Sequence, residues 1–322
     1  MKAFIPNILS ATKAISVVKT EHIQSLWSNY GAIVRIYLRG SNFKSVVAKH
    51  INFNRAGNHP RGWDTYFSHQ RKVTSYEIEC NWYRDWANKC NETCYVPTCL
   101  GYFKIGEQTL LLLEDLDDAG FPMRKEKLTI PQAMVVLSWL ANFHATFMQL
   151  KPTRLWDVGT YWHLATRPDE FKNMEAGALK NKAKAIDDAL NNCTNQTIVH
   201  GDAKVANFCF NRDLTQVSAV DFQYVGGGCG MKDVVYFLGS CLDAETCKIH
   251  EETLLNHYFS VLNKSLTTFN PTISSNAVEE EYRSLYAIAW TDFTRFLMGW
   301  MPTHQKLNEY STELMQKAIK HS

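Results

Sequence analysis

Surplus charge of either sign is what this sequence lacks first: 34 Lys and Arg stand against 32 Asp and Glu in 322 residues, a formal charge of +2. So weak a summed field does not draw nucleic acid or anionic lipid to the chain as a whole, and neither is expected as a partner. Long apolar runs are missing as well, since the longest, such as 133–140, fall far below the ~20 residues a membrane span needs. The opening MKAFIPNILSATKA has too short an apolar stretch, broken by Pro6, to read as a signal peptide, so a cytoplasmic location is expected. The nine cysteines are odd in number and scattered, which argues for reduced thiols rather than a disulfide scaffold. Cys90, Cys94 and Cys99 lie close together, but no second pair of Cys or His follows at the distance a zinc site requires. No repeat, low-complexity tract or charged block divides the chain. What remains is an ordinary globular composition, 45% hydrophobic, 12% aromatic and 20% charged, which excludes a disordered or fibrous chain and allows one large or two ordinary domains.

Apolar periodicity gives the order of elements. Segments 32–38 and 45–53 read as strands separated by the turn residues Arg39, Gly40, Ser41 and Asn42. Over 73–89, Val73, Tyr76, Cys80, Tyr83 and Ala87 fall at helical spacing. Two more strands follow at 96–103 and 109–113, the second almost wholly apolar and therefore expected to be central. Beyond Leu116 the character becomes helical, with Pro131 near a helix start and Met134, Leu137, Ala141, His144 and Met148 along an apolar stripe on which His144 reads as a core histidine. Short strands at 196–200, 208–210 and 217–220 interrupt the helices, which resume at 254–262, 279–298 and 305–319. The expected fold class is α+β: a small antiparallel sheet lobe with one helix over 1–113, a hinge at 114–116, and a larger, mostly helical lobe over 117–322. The crevice between the lobes is the default ligand site.

The segment IVHGDAKVANFCF, followed by VSAVDFQ, places His200, Asp202, Lys204 and Asn207 within eight residues and Asp221 fourteen further on. Moving a γ-phosphoryl group needs a carboxylate to orient and accept the proton of an incoming hydroxyl, and hard oxygen ligands for a metal that neutralises phosphate oxygens. Asp202 suits the first task; Asn207 and Asp221 suit Mg²⁺, which takes few protein ligands. Lys204 adds a positive charge beside the transferring phosphate.

Here the sequence resembles the aminoglycoside and choline phosphotransferase group of the protein-kinase-like fold, through HGDAKVAN at 200–207 and DFQ at 221–223, and within that group the ecdysteroid-kinase-like branch. The bilobal fold, and ATP with Mg²⁺ as cofactors, are what the resemblance implies. Gly201 stands where protein kinases carry an arginine, which favours a small-molecule acceptor over a protein. Val46-Val47-Ala48-Lys49 resembles the strand whose lysine pairs the α- and β-phosphates, and Glu79, rather than Glu77, the helix acid that holds it. By the same resemblance the backbone of Glu114 and Leu116 meets the adenine edge, and Asp233 supports the catalytic loop or simply begins a helix. Two features depart from the pattern. The stretch SLWSNYGAIVRIYL has only Gly31 in place of a glycine-rich phosphate loop, so Ser28, Asn29 and nearby amides would have to serve. Gln223 replaces the usual glycine after Asp-Phe, which predicts a metal site that stays assembled.

Gly226, Gly228 and Met231 fail the spacing of a dinucleotide-binding fingerprint, and no G-x-S-x-G occurs. On the acceptor side, two aromatic-rich segments supply Trp156 and Trp162, then Asp292, Arg295 and Trp300, as candidates. Trp290, Phe293, Leu297 and Trp300 also fit a helix core, and Asp292 and Arg295 fit an ion pair three residues apart. The broad apolar surfaces and few acids point to an apolar or singly charged alcohol, including a sterol-like one, rather than a polycationic aminoglycoside. The expected activity is that of a small-molecule kinase, with a nucleotide-binding pseudokinase as the alternative.

Overall fold

A computed structural model describes residues 1–26, 30–53 and 66–321. Its first half is built on an antiparallel sheet of β1 (Ser16–Ser25), β2 (Gly31–Arg39), β3 (Ser45–Asn52), β4 (Cys99–Ile105) and β5 (Gln108–Glu114), in the spatial order β1-β2-β3-β5-β4. The turn between β2 and β3 passes through Gly40 at φ +71°, a conformation open to glycine. The apolar run Leu110 to Leu113 makes β5 an interior strand, flanked on both sides.

Side chains alternate across a strand, and β3 uses both faces. Val46 and Ala48 face outward, where they pack with Ile36, Leu110 and Leu112 beneath Phe4 and Ile8. Val47 and Lys49 face the cleft. Phe4 caps and Ile8 belongs to a short helix, α1 (Ile5–Thr12), so this half has two helices where the sequence pattern suggested one. Strand β1 was also absent from the pattern: it is an edge strand exposed along most of its length, so its sequence SVVKTEHIQS carries no alternation of buried and exposed residues. The inner face is closed by α2 (Tyr66–Asp85), which starts earlier than its periodicity indicated and gives way to a turn at Ala87–Lys89.

A capping box of Thr129 and Gln132, with Pro131 in the first turn, opens α3 (Ile130–Thr146). Beyond α4 (Pro168–Asn173) and α5 (Ala178–Asn191), four short strands form two ladders: β6 (Thr197–Val199) with β9 (Gly226–Gly228), and β7 (Phe208–Phe210) with β8 (Val217–Ala219). The glycine run is thus a ladder strand. The helices α6 (Met231–Cys241), α7 (Ala244–Phe269), α8 (Ser275–Trp300) and α9 (Glu309–His321) complete the chain. One apolar core runs from Trp82 and Tyr83 of α2 through α3 to α8, joining both halves. Trp290, Phe293 and Leu297 are buried, as their helical spacing implied. All nine cysteines are free thiols, and no helix among the described residues is long and apolar enough to cross a membrane.

Candidate phosphoryl-transfer site

A cavity of about 620 Å³ opens between the sheet and the helical half, lined by Lys49, Glu79 and 113–117 on one side and by Lys204, Asn207, Asp221 and Gln223 on the other. Lys49 Nζ lies 2.6 Å from Glu79 Oε2 and 3.4 Å from Asp221 Oδ1. Glu77, two residues earlier on the helix, points to solvent. Burial disfavours the Lys49 ammonium, but Glu79 and Asp221 outweigh it and raise its pKa; burial also pushes Glu79 up, against the pull of Lys49. At the rear of the cavity, Asp115 accepts from Arg35 Nε and Ser45 Oγ, both at 2.6 Å, and ties the end of β5 to β2 and β3. Glu114 and Leu116 line the cavity, with Glu114 N–H donating to the Thr98 carbonyl and the Leu116 carbonyl accepting from Phe121 N–H.

Strand β6 delivers the chain into the loop that carries Asp202. Asp233, in the first turn of α6, accepts from the His200 and Gly201 amides at 2.5 and 2.9 Å, and buried His144 bridges Asp233 to the Tyr258 hydroxyl. Gly201 adopts φ +80°, and a Cβ there would come within 2.0 Å of the Tyr224 carbonyl, so no side chain is admissible at the position where an arginine would stand in protein kinases. Asp202 Oδ2 is 3.1 Å from Lys204 Nζ, and Asn207 Nδ2 donates to both the backbone carbonyl and Oδ2 of Asp202. The amide oxygen of Asn207 is thereby left as the outward acceptor.

Asp221 follows β8 in a left-handed conformation, φ +67°, which aspartate tolerates better than most residues. Burial opposes its ionisation, yet Lys49, Lys204 and Lys72 together hold it well below the usual carboxylate range. Phe222 anchors the turn, stacked on Trp82 at 4.6 Å and against His200 at 4.5 Å. Gln223 then closes a ring of side chains: Nε2 donates to Asp221 Oδ1 at 2.5 Å, while Oε1 accepts from Lys72 Nζ at 2.5 Å and lies 3.2 Å from Ser75 Oγ. Lys72, Ser75 and Glu79 are all on α2, so the helix is tied to Asp221 by two routes. Lys72 went unmarked in the sequence, although its place two turns before Glu79 sets both on one helix face. Gln223→Gly should leave the fold intact but speed amide exchange in α2 about tenfold, the worth of a hydrogen bond or two. Unchanged exchange would show that the carboxamide does not hold the helix.

His200 is fully buried; its Nε2–H donates to the Val220 carbonyl and its Nδ1 accepts from the Asp202 amide, a pattern only the neutral ring can satisfy. Burial lowers its pKa from the usual 6.5. A group with a depressed folded pKa contributes stability that is present above the unfolded value and lost as pH falls through the folded one. Denaturant titrations should therefore show the wild type losing more stability than His200→Asn as pH drops below about 6.5; parallel curves would refute this.

The remaining candidates divide sharply. Ser28 and Asn29 lie outside the described residues. Gly31 opens β2 at φ +141°, where a Cβ would come within 1.9 Å of the His50 carbonyl, so strand packing accounts for this glycine and it does not line the cavity. Trp162, Asp292 and Arg295 do not form an acceptor surface: they are 0–1% exposed and bonded to one another, Asp292 accepting from Arg295 at 2.8 Å and from Trp162 Nε1 at 3.1 Å. Their polar atoms are turned on one another inside the fold, save Arg295 Nη1, which is buried without a hydrogen-bond partner. Trp156 is half-buried, its Nε1–H donating to the Gln223 carbonyl, and half-buried Trp300 stacks on Phe296. The residues found instead around Asp202 are Tyr161, Tyr236 and Lys306, each within reach of its charge. No spacing in the sequence links these three to Asp202.

A family model, the ecdysteroid kinase-like family, matches residues 72–155 and 160–271. A kinase-like protein of Caenorhabditis elegans is 23% identical over 175 residues, 48% of this chain and 46% of that protein, so the match spans less than half of the relative's length. Among solved structures, the choline kinase of Cryptosporidium parvum aligns over 99% of this chain and 95% of its own at a TM-score of 0.55 and 11% identity, which shows a shared fold. The GDP complex of aminoglycoside 2′-phosphotransferase-IIIa covers 99% of this chain and 98% of its own, at a TM-score of 0.47 and 10% identity.

Proposed function

We propose, since the chain belongs to the ecdysteroid kinase-like family and has a kinase-like fold, that it transfers the γ-phosphoryl group of ATP to the hydroxyl of a small molecule. The observation that carries this reading is the convergence of Lys49, Glu79, Lys204, Asn207 and Asp221 on one cavity, with Asp202 bonded to Asn207 and Lys204. The donor set fits Mg²⁺: the Asn207 amide oxygen faces outward, and Asp221 is held as a carboxylate. When bound there, Mg²⁺ would neutralise phosphate oxygens. Lys49, steadied by Glu79, would pair the α- and β-phosphates. Asp202 would orient the acceptor hydroxyl and take its proton, while Lys204 offsets charge on the group in transfer. The acceptor is proposed to be an apolar or singly charged alcohol rather than a nucleic acid, membrane or protein, and the free thiols suit a cytoplasmic setting.

Unfolding measured with ATP and Mg²⁺ tests the reading, since ligand at a hundred times its dissociation constant stabilises by ~2.7 kcal/mol. ATP consumption against aminoglycosides, choline-like alcohols and steroid alcohols, with Asp202→Ala as the blank, then tests transfer. Stabilisation by nucleotide without Asp202-dependent consumption on any panel member would favour a nucleotide-binding pseudokinase. Turnover of aminoglycosides alone would overturn the acceptor class.

A further inference from the structure

Gln223 stands where the pattern in the sequence calls for glycine, and its partners fix which way the carboxamide points. Oε1 lies 2.5 Å from Lys72 Nζ, and an ammonium can only donate, so Nε2 is the end turned to Asp221 Oδ1, also at 2.5 Å. The backbone is held as well: the Gln223 carbonyl accepts from Trp156 Nε1–H at 2.8 Å, and Phe222 before it is fully buried against Trp82 and His200. Gln223 itself is buried, so turning it away from Asp221 would strand a donor at one end and the Lys72 ammonium at the other.

The two oxygens of Asp221 are therefore unequal. A carboxylate oxygen has two lone pairs, and both of those on Oδ1 are met within the protein, by Gln223 Nε2–H and by Lys49 Nζ at 3.4 Å. Glu79 steadies Lys49 at 2.6 Å, so a positive charge also stands beside Oδ1. Oδ2 accepts no hydrogen bond among the described residues, and Asp221 lines the cavity with its side chain 33% exposed. Protein kinases hold two Mg²⁺ through an aspartate and an asparagine so placed. Two cations on one carboxylate divide its oxygens between them; Oδ2 alone, with an ammonium beside its twin, serves one.

We infer that Gln223 is a specificity-determining residue of the metal site: by capping Asp221 Oδ1 it confines the aspartate to Oδ2, so that the nucleotide is bound with one divalent cation rather than two. This deepens the phosphotransfer reading given above and rests on it. The test counts ions and needs no turnover. Mn²⁺ would be titrated into the full chain with an equimolar non-hydrolysable ATP analogue and followed by electron paramagnetic resonance, which counts bound ions and shows whether two lie close enough to couple, about 3.5–4 Å apart. The wild type should bind one Mn²⁺ per nucleotide, with the spectrum of an isolated ion. Gln223→Gly, which opens Oδ1, should bind two, with a coupled spectrum. Gln223→Met, which keeps the length of the side chain without its donor, should do the same and serves if the glycine loosens the turn. Two coupled ions in the wild type, or one in both variants, would overturn the inference and leave the phosphotransfer reading standing. No nucleotide-dependent Mn²⁺ binding in any of the three chains would overturn both.

Discussion

Asp202→Ala should reduce turnover by about 10³-fold, within the range of a lost general base, while Mg-nucleotide affinity stays within about threefold of wild type. The reason is positional. Asp202 sits in the loop after β6, bonded to Lys204 and Asn207, whereas Lys49, Glu79, Asn207 and Asp221 line the cavity that we propose takes the nucleotide. Loss of its carboxylate leaves Lys204 without a partner, but the Lys204 side chain is 39% exposed and can be solvated, so little stability should be lost. Asn207 keeps its bond to the backbone carbonyl of residue 202 in the variant. Asp221→Ala should do the reverse, weakening metal-dependent nucleotide binding because it removes the carboxylate around which Lys49, Lys72 and Lys204 are arranged. Isothermal titration with nucleotide and Mg²⁺, set beside initial rates for both variants, decides the matter. Equal loss of binding and turnover in both would overturn the division of roles.

The second large effect is expected at Lys49. Its ammonium and the Glu79 carboxylate are both buried at 2.6 Å, and removing one partner of such a pair typically costs about 3–5 kcal/mol because the other charge is stranded. Lys49→Ala should therefore lower both turnover and stability strongly. Glu79→Ala should lower them less, since Lys49 retains Asp221 at 3.4 Å. Glu77→Ala, at an exposed position, should stay within about 0.5 kcal/mol of wild type. Urea titrations and rates across the three variants provide the comparison, and a Glu77→Ala chain more impaired than Glu79→Ala would show that the other face of α2 serves the site.

Much of the architecture was legible because burial leaves a periodic mark. The near-continuous apolar run before Glu114 marked an interior strand, and the stripe from Met134 to Met148 marked α3. Elements that bury little, or bury few residues, left no such mark: β1 is an exposed edge, and α1 sets just one buried apolar residue, Ile8, on the sheet's outer face, beside Phe4 at its N-cap. The aromatic and charged residues of the second half were ambiguous for a different reason: polar side chains buried with partners look in sequence like polar side chains lining a pocket, and the ion-pair reading of Asp292 and Arg295 is the one the structure shows. Trp162, Asp292 and Arg295 are chemically apt for an acceptor, and the structure closes them on one another.

The sequence by itself determined the chemistry of this protein's central residues and their order, because His200 to Asn207 lie on one loop and Asp221 one ladder later, where chain connectivity alone keeps them near. It also determined that Val47 and Lys49 share one face of β3, since side chains alternate along a strand, but the packing of α2 decided that this face lines the cavity. Only the tertiary structure decided what meets them from far along the chain. Gln223 joins α2 through Lys72 and Ser75, Asp233 fastens the loop from α6, and Lys306 crosses to the rings of Tyr236 and Phe293. Such contacts are set by how helices pack, and a single polar or charged side chain bears no sign in sequence of which distant partner the packing will bring to it.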